Sequence, residues 1–177
     1  MQKLILPSFI ILLALVVSCG ASKKDTANDH KDHSATTITY QSSDSIKVGK
    51  VEKSETEWKQ ILSADAYHIL REDGTEPAYS SPLLDNKKEG VYYCDACGLP
   101  LYSSETKYKS NTGWPSFWKP LEAKVVKEVK DTSLGMVRTE IVCAQCGSHI
   151  GHVFNDGPEP TGLRYCMNGL ALNFKEK

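Results

Sequence analysis

The apolar positions of this chain change texture three times, and each texture predicts a different kind of structure. Residues 4–17 form a nearly unbroken apolar run behind one early lysine, Lys3. Residues 20–50 are rich in Lys, Asp, Ser and Thr and poor in large apolar side chains, a composition that buries too little surface to offset the entropy of ordering. Apolar residues then return at helical steps: Trp58, Ile61, Leu62, Ala66, Ile69 and Leu70. Ser54 and Glu57 ahead of them have the spacing of a capping box, and Asp73-Gly74 ends the pattern. The spacing predicts one helix, or two short ones, over residues 55–70, docked by a single stripe.

After Gly90 the period shortens. "GVYYC", "SFWKPL", "AKVVKEV", "GMVRTEIVC", "HVF" and "LRYCMNGLAL" are short β-branched or aromatic runs, broken by Gly, Pro, Asn and Asp. "KDTSLG" reads as a hairpin turn. No alternation of strand and helix appears, which argues against a parallel sheet. The expected fold is therefore mainly β and antiparallel, with a helical segment on its N-terminal side.

The first segments are not part of that domain. The apolar run is too short for a comfortable membrane span and has the flanks of a signal peptide. Ser18-Cys19-Gly20 after it resembles a bacterial lipoprotein cleavage box, which implies cleavage before Cys19 and a lipid on its thiol. An uncleaved anchor helix and an ordinary leader with an incidental cysteine are the competing readings. All three put the remainder outside the cytoplasm, in the cell envelope of a bacterium, where disulfides persist. The expected division is a lipoprotein-type signal peptide over residues 1–18, a flexible tether over 19–51 and one folded domain over 52–177. His30 and His33 sit in the tether and are read as solvated.

Composition narrows the class of partner. The chain of 177 residues is 40% hydrophobic and 24% charged, with a net charge of -1. That suits a single packed domain, and with no basic excess nucleic acid is excluded as a partner.

The cysteines carry the candidate chemistry. "CDACG" and "CAQCG" are matching knuckles, Cys94 with Cys97 and Cys143 with Cys146, each followed by glycine. Two such knuckles supply the four thiolates of a closed, structural Zn²⁺ site. Two disulfides, or a redox dithiol, are the readings it must outweigh. The 45 residues between Cys97 and Cys143 mean that the site would clip distant parts of a larger sheet.

Cys166 belongs to neither knuckle. If "LRYCMNG" is a strand, Arg164, Cys166 and Asn168 share one face, and Leu163, Tyr165 and Met167 the other. A cysteine beside a cation has help in ionising, though a lone half-buried cysteine often only fills space. "GSHIGHVFNDGPEPTG" adds His149, His152 and Asp156, and "NTGWPSFWKP" adds Trp114 held extended by Pro115. A cysteine with candidate histidines suits nucleophilic chemistry, and an indole makes a wall for a sulfur-bearing ligand.

The stretches "REDGTEPAYS", "LLDNKKEGVYYCDACGLPLY", "TGWPSF" and "CAQCGSHIGHVFNDGPEPTGLRYCMN", in this order, resemble the B class of peptide methionine sulfoxide reductases, over residues 53–174. The resemblance implies a fold of two antiparallel sheets and reduction of the R epimer of methionine sulfoxide in oxidised proteins. It makes Cys166 the nucleophile that becomes a sulfenic acid and His149 the general acid. His152 and Asn168 would hold the network around the reacting oxygen, with Arg164 and Asp156 supporting it. Trp114 would seat the substrate methyl group, and Cys94, Cys97, Cys143 and Cys146 would hold structural zinc. Many members have a resolving cysteine where this chain has Thr112. A single-cysteine variant would need an external reductant, thioredoxin-like or a small thiol. The rival functions are a zinc-clipped binding module with an inert Cys166, and a thiol peroxidase.

Overall fold

The computed structural model describes residues 45–177. The leader, Cys19, the two tether histidines and most of the expected tether lie outside the described residues. Among the described residues no helix is long and apolar enough to cross a membrane.

The helical segment is two short helices, α1 (Glu55–Ile61) and α2 (Ala64–Arg71). Ser54 and Glu57 form the capping box at the start of α1. Ser63 breaks the pattern in extended conformation and caps α2 through the Ala66 N–H, so one sequence stripe is carried by two elements. Trp58, Leu62, Ala66, Ile69 and Leu70 are buried, whereas Ile61 stays 46% exposed. Packing also begins before the boundary expected between residues 51 and 52. Ile46 is buried, its N–H is donated to Glu122, and the Val51 N–H is donated to the Gln145 carbonyl. One isoleucine in a polar stretch leaves no periodic signal.

The strands are β1 (Gly90–Cys94), β2 (Pro100–Ser103), β3 (Lys107–Tyr108), β4 (Ser116–Phe117), β5 (Val126–Asp131), β6 (Arg138–Cys143), β7 (His149–Phe154), β8 (Arg164–Met167) and β9 (Leu172–Glu176). They form two antiparallel sheets, a three-stranded one in the order β2-β1-β9 and a six-stranded one in the order β3-β4-β8-β7-β6-β5. The mainly β, two-sheet expectation holds. Strand β2 gives no strand signal in the sequence, because "LPLY" is short and contains a proline.

Aromatic rings join the sheets. Tyr102 stacks on Phe117 with centroids 4.5 Å apart, and Tyr92 meets the same ring edge-on at 5.0 Å. Complete burial of a side chain such as Phe117 contributes roughly 1.5–3 kcal/mol. Met167 is buried beneath them, and the Tyr102 hydroxyl is donated to its sulfur at 3.2 Å.

Two irregularities in the larger sheet position the site. Against β6, Ile141 pairs with Gly151 but Val142 pairs with His149, so Ile150 is the extra residue of a β-bulge. Residues three apart on a regular strand face opposite ways. The bulge cancels that and puts His149 and His152 on the same face. The second is Gly151, where a Cβ would sit 2.2 Å from the Cys166 carbonyl oxygen, so no larger residue fits between β7 and β8 here.

Candidate active site and metal centre

The two knuckles repeat one backbone design. Gly98 and Gly147 donate their N–H groups to the carbonyls of Cys94 and Cys143, both at 2.8 Å, with φ of +74° and +71°. Open space surrounds both glycines, so the positive φ alone selects the residue. Cys94 ends β1 and Cys143 ends β6, so the cluster ties one sheet to the other. That accounts for the long interval between the knuckles.

All four sulfurs lie within 4.8 Å of one another, with Cys97 to Cys143 at 3.5 Å and Cys94 to Cys146 at 3.8 Å. Tetrahedral thiolates about 2.3 Å from a zinc ion stand roughly 3.8 Å apart. The described cysteines are all unbridged. The three neighbouring sulfurs and burial push the Cys94 thiol well up, an electrostatic penalty that a divalent cation removes. The donor set therefore fits a metal such as zinc.

Cys166, His149 and His152 share one face of the six-stranded sheet. Following the register strand by strand, Tyr108 opposes Ser116, Ser116 opposes Cys166, Cys166 opposes His152, His152 opposes Glu140, and Glu140 opposes Val129. Directly opposed side chains share a face, with Cβ atoms about 4.5–5.5 Å apart. Cys166 thus has an imidazole on one side and a hydroxyl on the other. Tyr165 and Met167, its neighbours on β8, are buried on the opposite face, as strand alternation predicts.

Different nitrogens hold the two histidines. His149 Nδ1 lies 2.7 Å from Glu140 Oε1. A carboxylate only accepts, so the Nδ1 proton points at it, and Nε2 is left to exchange a proton. That Nε2 is buried and has no hydrogen-bond partner. His152 is held instead through Nε2, 2.9 Å from Asp131 Oδ2. The two rings meet edge to face, with centroids 5.4 Å apart. Burial holds the His152 imidazole below its ordinary value, and the Asp131 bond only partly restores it. Hydrogen bonds from Ser133, with His152 and Arg138 behind them, hold the Asp131 carboxyl well below the usual range.

Arg164 grips Asp156 with two bonds, Nε to Oδ1 at 2.8 Å and Nη2 to Oδ2 at 2.9 Å. This fork raises the guanidinium's proton affinity and lowers that of Asp156. The guanidinium also lies over the Phe154 ring at 4.3 Å. Arg164 is next but one to Cys166 on the same face, so it brings a fixed positive charge to the sulfur's surroundings.

Asn168 is more deeply employed than strand alternation suggests. Strand β8 ends at Met167. The Asn168 side chain donates to the Ile150 carbonyl at 3.2 Å and accepts the Glu76 N–H at 3.1 Å. Its backbone N–H also reaches the Ile150 carbonyl, at 2.9 Å. Asn168 therefore pins the bulge residue that aligns the histidines. Trp114 is half-buried, and its indole N–H is donated to the Glu76 carbonyl at 3.1 Å.

Glu76, which carries no periodic signal in the sequence, is the buried anchor beneath Trp114 and Asn168. Besides those two backbone contacts, its carboxylate accepts the N–H groups of Gly169 and Leu170. The available hint was its place in "REDGTEPAYS". Glu140 and Asp131 carry no such signal either, since only register brings them to the histidines. Thr112 lies 3.7 Å from the Cys166 sulfur, oxygen to Sγ.

A SelR domain matches residues 62–176. The peptide methionine sulfoxide reductase MsrB of Methanosarcina barkeri is 56% identical over 125 residues, covering 71% of this chain and 88% of that protein. Its namesake in Leptospira interrogans is 53% identical over 128 residues, covering 72% and 98%. That of Acinetobacter baumannii is 52% identical over 128 residues, covering 72% and 92%. With the matched region running from the end of α1 through β9, the chain belongs to the SelR-domain family.

Proposed function

We propose that this chain reduces methionine-R-sulfoxide in oxidised proteins to methionine, with Cys166 as nucleophile. The observation that carries the reading is the transverse row, in which Cys166 stands opposite His152 beside His149, whose Nε2 is unpartnered. The Cys166 thiolate attacks the sulfoxide sulfur while His149 Nε2 protonates the departing oxygen. The sulfur–sulfur bond formed by the attack then breaks as the oxygen passes from the methionine sulfur to Cys166, so methionine leaves and Cys166 is left as a sulfenic acid. Glu140 on Nδ1 stabilises the imidazolium that gives the proton. Arg164 stabilises negative charge near the sulfur, His152, with its Nε2 proton on Asp131, offers its free Nδ1 as an acceptor to the hydrogen-bond network around the protonated oxygen, and Trp114 provides the apolar wall for the methyl group.

Beyond the four clustered thiols, Cys166 is the only cysteine among the described residues. An external thiol therefore regenerates it. The first thiol condenses with the sulfenic acid to a mixed disulfide and water, and the second releases Cys166 and an external disulfide. Cys94, Cys97, Cys143 and Cys146 would hold a structural zinc ion that stabilises the fold. We further propose that Cys19 carries a lipid that tethers the domain to a membrane, facing away from the cytoplasm, on the strength of Ser18-Cys19-Gly20 behind the apolar run.

The test is turnover of resolved R and S epimers of a methionine sulfoxide peptide, with dithiothreitol and then with thioredoxin as reductant. The R epimer is consumed by the native chain, and Cys166→Ser abolishes turnover while retaining metal and fold. Full activity in that variant, or no turnover of either epimer by the native chain, refutes the proposal and favours an inert binding module. Consumption of peroxide in preference to sulfoxide favours a peroxidase.

A further inference from the structure

The loop between β3 and β4, with the first residue of β4, carries a chain of hydroxyls that ends on Cys166. Thr112 Oγ1 lies 3.7 Å from Cys166 Sγ and 2.8 Å from Ser110 Oγ, and Ser110 Oγ lies 2.7 Å from Ser116 Oγ. Ser116 donates to the Trp114 carbonyl at 3.1 Å. A hydroxyl has one hydrogen, so that last bond orders the others. With its hydrogen on the carbonyl, Ser116 accepts from Ser110. Ser110 has then spent its own hydrogen and accepts from Thr112. The Thr112 N–H, pointing at the same Ser110 oxygen at 3.4 Å, agrees with Ser110 as acceptor there. Thr112 is left facing Cys166 with a lone pair, which suits a thiol that donates S–H and opposes a thiolate.

An ionised sulfur needs the reverse. If every hydrogen in the chain turns round, Thr112 donates to the thiolate, Ser110 to Thr112, and Ser116 to Ser110. One neutral bond is lost, from Ser116 to the Trp114 carbonyl, and one charge-assisted bond is gained. A bond to a charged acceptor is roughly twice as strong as a neutral one. The balance therefore favours reversal once the proton has left.

We propose that Thr112, Ser110 and Ser116 form a reversible hydrogen-bond relay whose direction follows the protonation of Cys166. In this relay Thr112 and Ser110 are positioning residues for the nucleophile. The inference rests on Cys166 being that nucleophile. It also gives position 112 a use that needs no sulfur. The thiol and the sulfenic acid both donate to Thr112, and the thiolate accepts from it. The charged and titratable groups that also face or flank Cys166 are Arg164 on its own strand, with Asp156 attached, Tyr108 on β3, and His152 and His149 on β7, backed by Asp131 and Glu140. The substitutions below touch none of them.

The test is the rate of Cys166 alkylation by iodoacetamide near neutral pH, read by mass spectrometry of its peptide in the full, zinc-loaded chain. It involves no sulfoxide, so it stands apart from the reductase reading, whose failure would appear as absent turnover in the native chain. Thr112→Val removes the donor and slows alkylation about fivefold, the factor expected for one charge-assisted bond net of one neutral bond. Ser110→Ala has the opposite sign. It frees the Thr112 hydrogen for the sulfur, and the rate equals or exceeds that of the native chain. Thr112→Ser keeps the hydroxyl and recovers the native rate. A merely structural loop would slow in both Val and Ala variants or in neither. A Thr112→Val rate at or above native, any slowing in Ser110→Ala, or no recovery in Thr112→Ser overturns the relay.

Discussion

Glu76 gives the sharpest test of how the site is held together. Its carboxylate is buried and accepts the N–H groups of Gly169 and Leu170, at the turn between β8 and β9. Hydrogen bonds to a charged group are worth about 1.5–3 kcal/mol each, and removing one partner leaves the other buried without compensation. Glu76→Ala removes both acceptors, so the expected loss is about 3–5 kcal/mol, allowing for incomplete additivity. Glu76→Gln keeps one carbonyl oxygen and turns an amide N–H toward a second donor, so it should lose about half as much. For a domain of this size each kcal/mol lowers the melting temperature by roughly 3–5 °C. Calorimetry at saturating zinc should therefore show Glu76→Ala melting about 10–20 °C lower, with Glu76→Gln between it and the native chain. Trp114 and Asn168 hang on the same residue, so KM for the sulfoxide should rise more in the alanine variant than in the glutamine one. The reasoning fails if Glu76→Ala melts within a few degrees of the native chain, or if Glu76→Gln is the worse of the two.

Two further outcomes follow from the site's electrostatics and its metal. Burial keeps the His152 imidazole below its ordinary value, while the unfolded chain protonates at about 6.5. Below that pH the unfolded state takes up the proton first, so this contribution to stability is intact above about pH 6.5 and declines on acidification. His152→Gln should then show a smaller drop in melting temperature between pH 7.5 and 5.5, and an unchanged drop would contradict the assignment. Structural zinc in comparable clusters contributes of order 10 kcal/mol, comparable with the whole stability of an ordinary domain. Cys97→Ser, or a strong chelator, should leave the chain metal-free and without its β-sheet circular dichroism, and a folded, metal-free Cys97→Ser chain would show that the staple is dispensable.

The parts of this molecule that are periodic or local were legible in its sequence. The capping box at Ser54, the alternation that leaves Cys166 half-buried while burying Tyr165 and Met167, and the paired knuckles all depend on spacings within a few residues. What escaped depends on register between strands or on distant loops. Simple alternation assigns His149 and His152 to opposite faces, and only the bulge at Ile150 reunites them. Glu140 and Asp131 look like ordinary surface acids until β5 and β6 are laid beside β7. Glu76 meets Asn168, 92 positions away in sequence, by a contact that no local pattern encodes. Asn168 stands out in the sequence only by its place after Cys166, yet its amide secures the backbone that makes the histidines a pair.

Because Cys166, His152 and Glu140 stand in one line across a pleated sheet, their separations are inherited from the β lattice rather than negotiated by loops. Adjacent strands stand about 4.8 Å apart in any sheet, and that interval works here as a ruler between sulfur and imidazole. A slip of one residue in β7 or β8 would leave the composition intact and turn the chemistry to the wrong side of the sheet. The geometry should therefore tolerate wide changes in side-chain identity on the far face, and almost none in strand length.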